Sequence, residues 1–199
     1  MEIQILTKEE ISRFNKAPIF NIEEQKYFFT INRELLKQLT SNFKIENIGY
    51  FILLYGYFKA TSKFFTFLKS DKNLKFIQER YNITSISEDY SDRTTSLYKQ
   101  KIRDYFINES TDEIKETLQK SADQLANNFI NRKAIFYSLV ELSKKLNIEI
   151  PSYTELSRII TLALNSQKKD ILDKLLPYVE DKRLEILDEF LQKDIRLLA

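Results

Sequence analysis

The chain has 199 residues, 31 Lys and Arg against 29 Asp and Glu, 15 Phe and 11 Tyr, but two Gly, three Pro and neither Cys nor His. A chain of this length buries about 70% of its unfolded surface without disulfides. The missing Cys and His remove the usual zinc ligands and nucleophile and base pairs, and no glycine-rich loop is present to cradle a nucleotide's phosphates.

So little glycine and proline leaves few turns for hairpins or barrels, and the expectation is an all-α, multi-helix fold. The N-terminal MEIQILTKEE has no basic start and no apolar run of about 7 to 15 residues, so no signal peptide is expected and the location reads as cytoplasmic. Four helix starts are marked by Thr7 with Glu10, Asn21 with Glu24, Ser110 with Glu113 and Ser152 with Glu155. In each, a side-chain acceptor stands three positions before a Glu, the reciprocal capping pattern. The first helices are expected at 8–15, 22–28 and 31–40.

A helix at 45–60 holds the longest stretch free of charge and strong polarity, eleven residues from Ile48 to Phe58. A membrane-crossing helix needs about 20 apolar residues, so none is expected. Ile48, Phe51, Ile52, Tyr55 and Phe58 recur at helical spacing and read as core, with base stacking as the rival use of the rings. Lys59 and Lys63 follow one turn apart, where cations suit the helix dipole and could also reach a phosphate.

Between Gly56 and Arg103 ten basic residues face five acidic ones, +5 locally, which leaves −3 for the rest of a chain of net charge +2. A solvated lysine-rich face explains such a bias as readily as an acidic partner does. Helices are expected at 71–81 and 92–107. In SDRTTSLYKQKIRDYF, 91–106, an apolar stripe of Tyr98, Ile102, Tyr105 and Phe106 lies opposite Arg93, Ser96, Gln100 and Arg103, with Lys99 beside them. Arg takes guanine and Gln takes adenine with paired hydrogen bonds, so this face has major-groove chemistry. An ordinary exposed face has the same residue types.

The polar connector INESTD, 107–112, marks a seam between two helical modules, 1–108 and 109–199. Beyond it, helices are expected at 111–130, 133–146, 153–165, 169–177 and 181–193. The 133–164 stretch is similar to a helix-turn-helix with a longer turn than usual, containing Pro151. Its second helix buries Leu156, Ile159, Ile160 and Ala163 and presents Thr154, Arg158, Thr161 and Asn165, which are base-edge and phosphate-reading types. A plain helical hairpin is the alternative. No catalytic constellation or metal site is expected: Glu9 with Glu10, and Glu88 with Asp89, are consecutive and fall about 100° apart on a helix.

The ordered segments ILTKEE, FNIEEQKYFFTINRELL, NIGYFILLYGYFKATSKFF, YSDRTTSLYKQKIRDYF and IEIPSYTELSRIITLAL resemble the N-terminal region of the large transposases of replicative transposons, the Tn-3 family. The most specific pieces are Gly56 to Phe65 and the Pro151, Tyr153, Leu156, Arg158 pattern. The resemblance implies a non-enzymatic helical region that binds double-stranded DNA at the transposon's terminal inverted repeats. It also implies a separate catalytic domain of the RNase H type, absent from these 199 residues, which are then a fragment or truncated product. Self-association would run through the full-length protein, localisation would be nucleoid-associated when bound to DNA, and no cofactor or membrane partner is expected. One departure is Asn47-Ile48, where many members have Asn-Arg, so no role passes to Ile48. The candidate DNA contacts come from the helical faces: Lys59, Lys63, Arg93, Ser96, Lys99, Gln100, Arg103, Thr154, Arg158, Thr161 and Asn165. A helical protein–protein interaction domain is the competing expectation, and a metal-dependent nuclease a distant third.

Overall fold

The computed structural model describes residues 4–66, 72–87, 90–107, 111–128 and 131–176; the helix expected at 181–193 lies outside them. Among these residues the chain is all helical, with no strand: α1 (Lys8–Asn15), α2 (Ile22–Phe28), α3 (Arg33–Asn42), α4 (Ile45–Thr61), α5 (Lys72–Tyr81), α6 (Asp92–Phe106), α7 (Thr111–Asn128), α8 (Arg132–Lys145) and α9 (Tyr153–Leu175). Reciprocal caps form where expected at Thr7 with Glu10, Asn21 with Glu24 and Ser152 with Glu155. Each satisfies two backbone donors that a helix start leaves unpaired. Ser110 lies outside the described residues. The break expected after Asn165 is absent: α9 runs unbroken to Leu175, because nothing in Asn165-Ser166-Gln167-Lys168 stops a helix and those polar side chains can stay in water.

The chain divides into two compact units, one of residues 12–108 with 143–150, the other of 1–11, 109–142 and 151–199. The segments 1–11 and 143–150 thus belong to the unit opposite the one that a single cut after residue 108 would give them.

In the first unit α2, α3, α5 and α6 pack on α4. All eleven residues from Ile48 to Phe58 are buried, the two glycines included, so α4 is apolar all round rather than along one stripe. Its glycines mark close approach. A Cβ at Gly56 would fall into the ring of Phe29, and one at Gly49 would lie 2.9 Å from Ile86 Cδ1. Tyr98 meets Phe43 and Phe51 edge-on, at 5.0 and 5.5 Å between ring centres, and its buried hydroxyl has no hydrogen-bond partner among the described residues. Asn73 is held in this core by giving a hydrogen bond to the Tyr57 hydroxyl (3.0 Å) and taking one from Gln25 (2.9 Å). Residues 143–150 join the unit through buried Ile148 and Ile150.

In the second unit α7 and α9 form the principal helix pair. α7 buries Leu118, Ala122 and Ala126, and α9 buries Leu156, Ser157, Ile159, Ile160 and Ala163, with small residues allowing close approach. The N-terminal segment joins the same unit: the Ile5 N–H donates to the Tyr153 hydroxyl (3.2 Å), Leu6 is buried, and Lys133 pairs with Glu10. The Lys133 ammonium holds the Glu10 carboxyl below its ordinary pKa.

Candidate nucleic-acid interface

Each candidate residue is on a helix or helix end whose buried side is fixed by the packing just described. On α6, Tyr98 and Ile102 are buried, and this turns Arg93, Ser96 and Gln100 to solvent, as the period requires. Ser91 caps the helix start by accepting the Thr94 N–H (3.1 Å). The expected apolar stripe is narrower than four residues, since Tyr105 is 48% exposed.

Toward the C-terminal half of α6, Lys99 and Arg103 stand one turn apart and share one ring. The Lys99 Nζ lies 5.5 Å and the Arg103 Cζ 5.4 Å from the centre of Phe64. Both are within cation–π range. Phe64 itself rests on buried Phe58, 4.8 Å between centres, and so is anchored to α4. The Arg103 Nε donates to Glu149 Oε2 at 2.5 Å. Gln100 is turned along its own helix and donates to Asp104 (2.7 Å).

Lys59 and Lys63 have other company. The Lys59 Nζ donates to the carbonyl of Tyr27 (2.8 Å) and sits over that residue's ring; burial lowers its pKa. The Lys63 Nζ donates to the carbonyl of Phe14 (2.6 Å) and to Asn15 Oδ1 (3.2 Å), with the Phe14 ring 3.2 Å away. It therefore caps the Phe14 carbonyl at the end of α1, a role that suits a cation. Burial pushes the Lys63 amine down to about 8, against the carbonyl and ring face that favour its charged form. Both ammonium groups of this pair are thus engaged by carbonyls of the chain itself.

On α9, Thr154, Arg158 and Asn165 are exposed, opposite the buried Leu156, Ile159, Ile160 and Ala163. Thr161 is half-buried and its hydroxyl donates back to the carbonyl of Ser157 (2.7 Å). In the 133–164 stretch α8 and α9 meet through Phe136 and Tyr153, 5.9 Å between ring centres. α9 packs mainly on α7, and its link to α8 is an extended run through buried Ile148 and Ile150, not the three- or four-residue turn of a helix-turn-helix.

A family model described as a domain of unknown function, DUF4158, matches residues 5–163. The chain belongs to this family. No curated protein and no solved structure matches it. The DUF4158 match contains the whole α6 face with Phe64 and Glu149, and on α9 it includes Thr154, Arg158 and Thr161 but stops short of Asn165. Among the described residues no three Asp or Glu gather as a metal site, and no helix is long and apolar enough to cross a membrane. Neither Phe64 nor Glu149 stands out as a site residue in the sequence, although Phe64 falls within the Gly56–Phe65 run.

Proposed function

We propose that this DUF4158 chain is a helical module that binds double-stranded DNA at the terminal inverted repeats of a transposon, as the N-terminal region of a Tn-3-type replicative transposase. Strand cutting is left to a separate catalytic domain. Two things support the assignment to a transposase: the ordered resemblance over nearly the whole chain, and membership in a family known from transposase-associated N-terminal regions. The observation that carries DNA binding is the α6 face, where Arg93, Ser96 and Gln100 are exposed and Lys99 and Arg103 converge over Phe64. Basic groups supply sequence-independent attraction to phosphates, while Arg and Gln on one helix face supply base discrimination.

The test is selection from a randomised duplex pool, followed by titration of the enriched duplex and its shuffled counterpart at several salt concentrations. The expected outcome is an enriched sequence shared with the ends of a mobile element. With Lys59 and Lys63 engaged internally, about 3 to 5 phosphates should be neutralised, a slope of log affinity on log salt of roughly −3 to −5. A chain that enriches no duplex and shows no salt-dependent binding refutes the proposal.

A further inference from the structure

Arg103 is held by two groups, and the one hydrogen bond among them uses Nε rather than the terminal nitrogens. The first is Phe64, whose ring is fixed on buried Phe58 and lies against the guanidinium. The second is Glu149. Its neighbours Ile148 and Ile150 are 1% and 5% exposed, the Ile150 N–H donates to the carbonyl of Ser62 (2.7 Å), and the Ile148 N–H donates to the carbonyl of Ser143 (3.0 Å). The carboxylate is thus presented from a backbone pinned on both sides.

Glu149 engages Arg103 through Nε alone, at 2.5 Å, with the two side chains 29% and 35% exposed. A pair serving stability would gain most from a fork-to-fork contact using two N–H groups of the guanidinium. At this exposure a single contact adds little to stability. The contact at Nε does something else: together with the ring it fixes the plane of the guanidinium and the direction of its far edge. Among the described residues the two terminal nitrogens have no partner. Two donors side by side at fixed separation match one kind of ligand best, a planar edge with two adjacent acceptors, such as guanine O6 and N7.

We infer that Glu149 is a positioning residue that orients Arg103 for paired hydrogen bonding to a base edge, making Arg103 the discriminating contact of the α6 face. This rests on the DNA-binding proposal above. It gives a carboxylate, which by charge alone repels DNA, a role in sequence preference. Groups that touch a ligand are effective only when a supporting shell holds them.

Two conservative variants separate geometry from charge. Glu149→Asp keeps the charge and shortens the reach by one methylene; Glu149→Gln keeps the reach and an oxygen acceptor but removes the charge. Both are titrated on the duplex that the parent chain enriches and on its shuffled counterpart, with thermal unfolding followed by circular dichroism. Positioning predicts that Glu149→Asp loses about tenfold in the ratio of the two affinities. Glu149→Gln should hold that ratio within about twofold and bind both duplexes more tightly, since a negative charge has left the surface. In the free protein, the Arg103 Nε–H resonance, assigned by its absence in Arg103→Lys, should be ordered in the parent and in Glu149→Gln and mobile in Glu149→Asp. A folded Glu149→Asp variant with the parent's ratio, or with equal losses on both duplexes, overturns the inference. So does an Nε–H that is equally ordered in all three, which needs no DNA to observe. A parent chain that enriches no duplex fails the DNA-binding proposal itself, and this inference falls with it.

Discussion

Lys59 on the last turn of α4 with Lys63 two residues past its end, and Lys99 with Arg103 on α6, are two pairs of cations four positions apart, yet the structure uses them oppositely. α4 is surrounded, buried from Ile48 to Phe58, so any long side chain at its end emerges among neighbouring backbone. Lys59 and Lys63 meet the carbonyls of Tyr27 and Phe14 there and complete the packing of α2 and α1. α6 is buried on one side only, by Tyr98 and Ile102, so its cations reach a half-buried ring at the rim of the core. A local excess of positive charge therefore marks two different things within fifty residues. What decides between them is whether the helix that carries the charge lies inside the core or on its rim.

The largest expected effect tests the buried side of this contrast. Gly56→Ala should destabilise the first unit by about 3 kcal/mol, because the new methyl group meets the Phe29 ring, itself fully buried and packed edge-on to Tyr57. The better helix propensity of Ala returns only about 1 kcal/mol. On α6, Ser96→Ala should stay within about 0.5 kcal/mol. Chemical denaturation of the two variants checks both, and equal stabilities would mean that α4 is not the tightly packed helix described.

Next in size is Lys63→Met, which keeps the apolar stem and removes the cap. Losing a charged donor to the Phe14 carbonyl is offset in part by relief of a buried charge, so near pH 7 the net change in stability should be under about 2 kcal/mol. The salt slope of DNA binding should not change, whereas a phosphate contact would lower it by about one. The same variant has a pH signature. Lys63 titrates at about 8 when folded against an ordinary 10.5, so between these values the unfolded chain binds the proton more tightly than the folded one. Stability should therefore rise with pH from about 8 upward. Lys59, also lowered, contributes in the same direction. Above 10 the sign reverses: burial holds Tyr55 and Tyr98 up to about 12, so unfolded tyrosines ionise first and stability falls. Urea denaturation at pH 8 and pH 10 should show a rise in the parent that is reduced in Lys63→Met.

On the exposed helix, Arg103→Ala should cost about 1.5 kcal/mol on the selected duplex and much less on the shuffled one. Arg93→Ala, near the start of α6 and exposed, should weaken both alike and reduce the salt slope by about one. Equal losses on both duplexes for Arg103→Ala would reduce the difference between α4 and α6 to one of exposure, with no base reader on either.

How much of this was legible in the sequence follows the range of each interaction. Caps act within a turn, and the starts of α1, α2 and α9 could be placed from Thr7, Asn21 and Ser152 because the Glu partners stand three residues on. The buried face of α9 was legible for the same reason, as a 3.6-residue period. α4 was underread: a stripe of five residues was expected, but Tyr50, Leu53, Leu54 and Tyr57 are buried too, and a helix apolar on every side leaves no period to detect. The pairings that decide the site span far longer separations. Lys63 meets Phe14 from 49 residues away and Arg103 meets Glu149 from 46. Neither leaves a local pattern, since any surface Lys or Arg has many carbonyls and carboxylates to choose from.

The smallest expected effect concerns a residue that looks like a reader by type and position. Thr161 falls in register with Thr154, Arg158 and Asn165, but its hydroxyl hydrogen is already given to the carbonyl of Ser157 and the side chain is half-buried. To contact DNA as a donor it would have to break that bond, and back-bonded Thr contributes little to a helix. Thr161→Val, nearly the same shape, should change neither stability nor duplex affinity by more than about 0.5 kcal/mol. Arg158→Ala on the same helix is the companion measurement, because Arg158 is exposed and points where α9 meets solvent. If α9 contributes to recognition, Arg158→Ala loses affinity for the selected duplex while Thr161→Val binds like the parent. A Thr161→Val variant that loses tenfold on the selected duplex alone would place Thr161 at a base edge, and the internal hydrogen bond would then be one that binding exchanges for a contact with DNA.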